Sequence, residues 1–264
     1  MKLPVPPQDE QVAIVAFLED GTSKVDALIG KQQQLIATLR ENRDALWSKF
    51  LDEAAVGTKS AKLRRVIDSI VDGPFGSSLT SAHYVDEGAR VIRLGNIGIN
   101  EFKDADRAYI SLTYARELSA HKVVAGDVVI AGLGDERMPL GRAVVIPEIG
   151  PAIVKADCFR VRPSKGLAPE FLAWALSAPQ TRNQIALLAR GATRARLNTS
   201  VVGEVKIPLP PIDRQRQIIE QSRLQLAKID ALICKSTAVI ETLREFRSAL
   251  IADAVKGRID VRGA

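Results

Sequence analysis

Leu3-Pro4-Val5-Pro6-Pro7 returns 204 positions later as Ile207-Pro208-Leu209-Pro210-Pro211, and the same shift keeps working downstream. Lys24-Val25-Asp26-Ala27-Leu28-Ile29 matches Lys228-Ile229-Asp230-Ala231-Leu232-Ile233, and Thr38-Leu39-Arg40-Glu41 recurs as Thr242-Leu243-Arg244-Glu245. From residue 3 to 51, 20 of 49 positions are identical without an insertion, so one segment stands twice around a unique middle. The division that follows is 1–58, 59–206 and 207–264: a helical repeat, a globular domain and the repeat again.

Each copy reads as one long helix. Ile229, Leu232, Val239, Leu243, Phe246 and Leu250 follow a 3-4 spacing interrupted by Ser236; the first copy gives Val25, Leu28, Gln32, Leu35, Leu39, Asn42 and Leu46. A seam of this kind over about three heptads is that of a short coiled coil, not a strand. Pro-Pro ends an extended segment before each copy, and Asp9 or Asp213 then sets a carboxylate at the positive helix end. Lys256-Gly257 suits a helix stop, and Gly21 should weaken or break the first helix. Gln32 and Asn42 against Ser236 are candidate register markers. A helix of about 40 residues rises about 60 Å, which makes the pair a spacer of fixed length or a simple supporting hairpin. The helices should pair antiparallel, because the chain leaves the first, builds the domain and returns to start the second; they can also pair between two copies.

The middle is mixed. Val91–Leu94, Asp127–Ala131, Ala143–Ile146 and Phe159–Arg162 read as strands bounded by Gly, Pro or Asp, and Pro169 to Leu188 as a helix with Trp174 in its apolar face. The fold class is therefore α+β, one mixed domain flanked by two long helices. Gly/Pro-rich loops at 132–142 and 191–199 are where binding residues would sit.

Charge separates the parts. The net +6 lies wholly in residues 59–206, with 21 Lys+Arg against 15 Asp+Glu, while the arms hold 16 of each. A basic domain on neutral arms points to a polyanion for the domain and protein for the arms. No stretch approaches 18 apolar residues and no cationic, apolar leader is present, which reads as a soluble cytoplasmic protein with no membrane partner. Cys158 and Cys234 form no CxxC and read as incidental thiols.

Motifs for catalysis are lacking. Gly132-x-Gly134 has no third glycine, and there is no GxxxxGK[ST]. His83 and His121, the only histidines, have no partners at zinc spacing. Glu204-Val205-Lys206 has a nuclease-like ExK spacing without the preceding Pro-Asp, and reads as a surface strand. No Asn-Pro-Pro-aromatic or Asp-Pro-Pro-aromatic run marks an amino-methyltransferase site. Residues of this kind bind rather than react.

With repeats, neutral arms and basic middle in place, the chain resembles the DNA-specificity subunit of type I restriction-modification systems. The resemblance rests on Ile207-Pro208-Leu209-Pro210-Pro211-Ile212-Asp213-Arg214-Gln215 entering a helix and Ala254-Val255-Lys256-Gly257-Arg258-Ile259-Asp260-Val261-Arg262 leaving it. In the middle it rests on Asp72-Gly73-Pro74-Phe75-Gly76-Ser77-Ser78-Leu79, Arg93-Leu94-Gly95-Asn96-Ile97, Gly126-Asp127-Val128-Val129-Ile130 and Leu197-Asn198-Thr199. The motifs are weak singly and specific in their order, and they cover essentially the whole chain.

The resemblance implies a non-catalytic subunit that reads part of a bipartite site in double-stranded DNA and docks adenine methyltransferase and restriction subunits. Cofactors are then expected on the partners (S-adenosylmethionine, ATP and Mg) and none in this chain. Two repeats around one recognition domain, where the family carries two domains, imply a portion of a split subunit or a half-subunit that self-associates. Base edges would be read from loops, with Arg pairing to guanine and Asn to adenine in the major groove. The candidates are Arg194, Arg196 and Asn198, then Arg137 and Arg142, with Arg93, Asn96 and Lys62 outermost. A coiled-coil adaptor, or a truncated specificity-like protein that binds partners with little DNA affinity, is the competing reading.

Overall fold

The computed structural model describes residues 6–135, 138–189 and 196–259. In chain order it forms α1 (Gln8–Ala55), β1 (Ser60–Lys62), β2 (Ile67–Val71), β3 (Tyr84–Val85), β4 (Ala89–Ile92), β5 (Tyr109–Ile110), α2 (Leu112–Glu117) and β6 (Lys122–Val123). There follow β7 (Val128–Ala131), β8 (Ala143–Val145), β9 (Ala152–Val154), β10 (Cys158–Pro163), α3 (Pro169–Ser177), α4 (Pro179–Leu188), α5 (Thr199–Glu204), β11 (Lys206–Pro208) and α6 (Ile212–Val255). The chain divides into two compact units, 1–45 with 224–264, and 46–223.

The first unit is an antiparallel helix pair. Arg43 Nε donates to Asp230 Oδ1 at 2.6 Å, Arg247 Nε to Asp26 Oδ1 at 3.0 Å, and Ile14 packs in one cluster with Ala254. Partner numbers fall along α6 as they rise along α1, which is the antiparallel order. The buried and half-buried rows of α6 are Ile229, Ser236, Leu243, Leu250 and Leu226, Ile233, Ile240, Arg247, Ala254. Subtracting 204 gives the inward rows of α1: Val25, Gln32, Leu39 and Thr22, Ile29, Ile36, Arg43. Half of the expected seam is therefore corrected. Leu28, Leu35, Leu232, Val239 and Phe246 are 43–56% exposed and Asn42 is exposed, so these lie outside the seam and Asn42 sets no register.

Gly21 does not break α1, which runs on unbroken. It sits in close approach, where an added Cβ would lie 2.9 Å from Leu250 Cδ2. The stop of α6 is as the sequence predicts: Gly257 takes φ +66°, and the Gly257 and Arg258 amides donate to the carbonyls of Ala254 and Asp253.

In the second unit, a four-stranded sheet of order β2-β10-β7-β8 stands beside a five-stranded sheet of order β3-β5-β4-β9-β6. The strands of β4, β7 and β9 are wholly buried runs of Ala, Val, Ile and one arginine, as strands covered on both faces should be. All pairings are antiparallel except β4 with β9. β1 pairs with β11, Ser60 opposite Pro208, so the first and last strands of the domain close it side by side. Seven of the nine residues of α3 are buried, and Trp174 is core, its ring 6.1 Å from that of Trp47. The single helix expected over 169–188 is two. Ala178, which precedes Pro179, takes φ −64°, ψ 145°, because the proline ring excludes the helical region for the residue before it.

Candidate nucleic-acid interface

Four loops of the second unit meet through hydrogen bonds. The turn after β2 begins at Asp72, whose Oδ1 accepts from the amides of Gly73 (2.7 Å) and Asp157 (3.0 Å). Asp157, in the loop before β10, holds φ +66° and accepts from Arg196 Nε at 2.7 Å. Arg196 forms a bridge with Leu133, and the Leu197 amide donates to the Gly132 carbonyl, so the segment before α5 is tied to the loop after β7. Burial holds the Asp72 carboxyl above its ordinary value, against the lowering by its two amide donors.

The sequence candidates divide by what they touch. Arg142 is 4% exposed and donates to five carbonyls: Ile97 (2.7 Å), Leu133 (2.9 Å), Leu94 (3.1 Å), Pro139 (3.2 Å) and Met138 (3.3 Å). It joins the turn after β4 to the loop after β7. Asn96 is fully buried; its Oδ1 accepts from the Arg93 amide and its Nδ2 donates to the carbonyls of Lys103 and Asp106. Both side chains are bonded inside the fold.

Arg93 is ion-paired with Asp106, and Lys62 and Arg64 share Glu204, whose carboxyl they hold below its ordinary value. Asn198 accepts from the Val201 amide at 2.8 Å and caps α5. Arg196 is paired but 49% exposed, with its guanidinium 5.1 Å from the Phe75 ring centre. Arg137 and Arg194 lie outside the described residues. The loops thus bring Arg142 and Arg196 to one cluster through Leu133, while Lys62 belongs to the β1–β11 closure. Beside the cluster opens a cleft of about 490 Å³ lined by Leu94, Lys103, Leu133, Asp135, Met138 and Arg142.

None of Asp72, Asp157 and Phe75 is among the candidate site residues read from the sequence, although Asp72 and Phe75 lie in the 72–79 stretch on which the resemblance rests. The signal available was the Asp72-Gly73-Pro74 turn: an Asp before Gly-Pro commonly accepts from nearby amides. No group of metal-binding side chains occurs among the described residues, and no described helix is long and apolar enough to cross a membrane.

Residues 101–229 match the type I restriction modification DNA specificity domain. The StySPI specificity subunit of Salmonella potsdam is 25% identical over 174 residues, covering 66% of this chain and 37% of that one. The MjaVIII specificity subunit of Methanocaldococcus jannaschii is 22% identical over 277 residues, covering 99% and 63%. Among solved structures, a chain of a type I R-M system superposes with a TM-score of 0.72 at 21% identity, covering 97% of this chain and 62% of that one. The HsdS subunit of Thermoanaerobacter tengcongensis gives 0.57 at 22%, covering 97% and 61%. The fold is shared with these structures: a mixed domain with one long helix before it in the chain and one after it. The chain is therefore similar to type I restriction enzyme specificity subunits, over residues 101–229 by the domain match and over most of its length by these relatives, and it spans less than two thirds of their length.

Proposed function

We propose that the chain is a non-catalytic DNA-recognition subunit whose domain reads one part of a bipartite site in duplex DNA. The observation that carries this reading is the confinement of the whole +6 charge to residues 59–206, in the part that contains most of the specificity-domain match. Lys and Arg there neutralise phosphates and set register, and loop side chains supply sequence preference. Exposed cations such as Lys59, Arg65, Lys103, Lys165 and Lys206 are available for the phosphates.

In this reading the helix pair docks adenine methyltransferase subunits, with restriction subunits joining the full complex in the cytoplasm. The exposed row of Leu28, Leu35, Leu232, Val239 and Phe246 supports a protein partner on the helices, since a spacer facing only water needs no such row. S-adenosylmethionine, ATP and Mg belong to the partners. The test is an affinity pull-down of the tagged chain from its host, with mass spectrometry of what is bound and selection of DNA from a random pool. An adenine methyltransferase and a selected sequence are expected; folded helices that recover neither would replace this reading with the adaptor.

A further inference from the structure

The turn at residues 72–79 presents an aromatic ring to solvent from a fixed base. Gly73 and Pro74 are buried, and Leu79 returns to the core at 6% exposure. Gly73 approaches the next loop so closely that an added Cβ would lie 2.0 Å from the Lys155 carbonyl carbon. Between these anchors Phe75 is 49% exposed, followed by Gly76 at φ +60°, where an added Cβ would have nothing within 4 Å among the described residues, and by exposed Ser77 and Ser78. The ring is not loose. Arg196 lies against it at 5.1 Å, Asp157 holds Arg196, and the Asp157 amide is bonded to Asp72 at the base of the same turn. The contacts close a circuit from Asp72 through Phe75, Arg196 and Asp157 back to Asp72.

We propose that Phe75 contacts a base of the DNA target directly and reads the C5-methyl group of a thymine, with Arg196 as its positioning residue. The inference rests on the DNA-recognition reading above. A phenyl ring has no hydrogen-bonding edge, so on the floor of the major groove it distinguishes bases by apolar contact alone. The thymine methyl is the one apolar feature that the base pairs present there. Arg196 keeps the ring from folding back onto the surface and adds a cation beside it.

The test uses the full chain, with any methyltransferase recovered with it, on the sequence selected from a random pool. The selected site should contain a thymine at which replacement by uracil, removing only the methyl, weakens binding about fourfold, the value of one buried methyl group. Phe75→Ala should bind thymine and uracil equally at that position, keep its preference elsewhere and keep its melting temperature. Arg196→Ala should relax preference at the same position, and the double variant should add nothing further there; a merely structural arginine would not relax one base. Uracil tolerated at every thymine, or an unchanged selection by Phe75→Ala, overturns the proposal while leaving DNA recognition intact. Failure of the unsubstituted chain to bind any duplex overturns both readings.

Discussion

A guanidinium out of water is tolerated only when its donors are used, and Arg142 meets that condition with five carbonyls from two loops. Its proton affinity is lowered by burial. Arg142→Met should remove these charge-assisted bonds, leave the carbonyls short of donors and cost about 3 kcal/mol or more of stability, read as a fall in the urea midpoint. Asp72 and Glu204 give the domain opposite pH responses. Asp72 is held above its ordinary 3.8, first by desolvation, so from about pH 3.8 up to its raised pKa the native state binds more protons than the unfolded chain. Its contribution therefore falls as pH rises through that window. Glu204 is held below its ordinary 4.5 by Lys62 and Arg64, so its contribution is present above that value and fades in stronger acid. Asp72→Asn keeps the acceptor oxygen and should abolish the first slope alone in urea titrations across pH 3 to 7. At this scale the sequence could rank Arg142 and Arg196 only as loop arginines. What separates them is carbonyls up to 48 residues away that fold around one and not the other.

The helix pair contains the same ion pair twice. A shift of 204 carries Asp26 to Asp230 and Arg43 to Arg247, so Arg43–Asp230 and Asp26–Arg247 are equivalent contacts about a local two-fold axis. The repeat was legible in the sequence, and so was the antiparallel order. The phase of the seam was only half legible, because Leu28-Ile29 and Leu35-Ile36 each put two apolar residues side by side. A 3-4 spacing fits either row, and burial picks Ile29 and Ile36. The same limit explains Gly21, whose low helix propensity is outweighed by packing along α1. Gly30 lies in α1 with nothing within 4 Å of an added Cβ. Gly30→Ala should therefore stabilise the chain by about 1 kcal/mol, seen as a higher melting temperature. Gly21→Ala should give less, since Leu250 must move.

At the scale of the molecule, charge and repeat divide the chain into a basic middle and two neutral arms. The middle segment carries +6 and the arms carry none, a division visible before any coordinates because it depends on composition alone. Which loops meet was not visible, because Asp72, Asp157 and Arg196 are joined across up to 85 residues by backbone amides and turns. The charge division makes a prediction that composition and structure share. If about five phosphates are neutralised, duplex affinity should fall about 500-fold between 50 and 200 mM salt, since each contact adds about 0.9 to the logarithmic slope. Removing Lys103 or Lys165 should lower the slope by roughly one wherever that residue touches a phosphate. Reversing exposed charges on the arms, such as Lys24, should leave it unchanged. Fluorescence anisotropy on a labelled duplex over that salt range measures all three. A slope near zero would mean that the basic surface is merely solvated, and would remove the polyanion from the account of why this segment alone has a net charge.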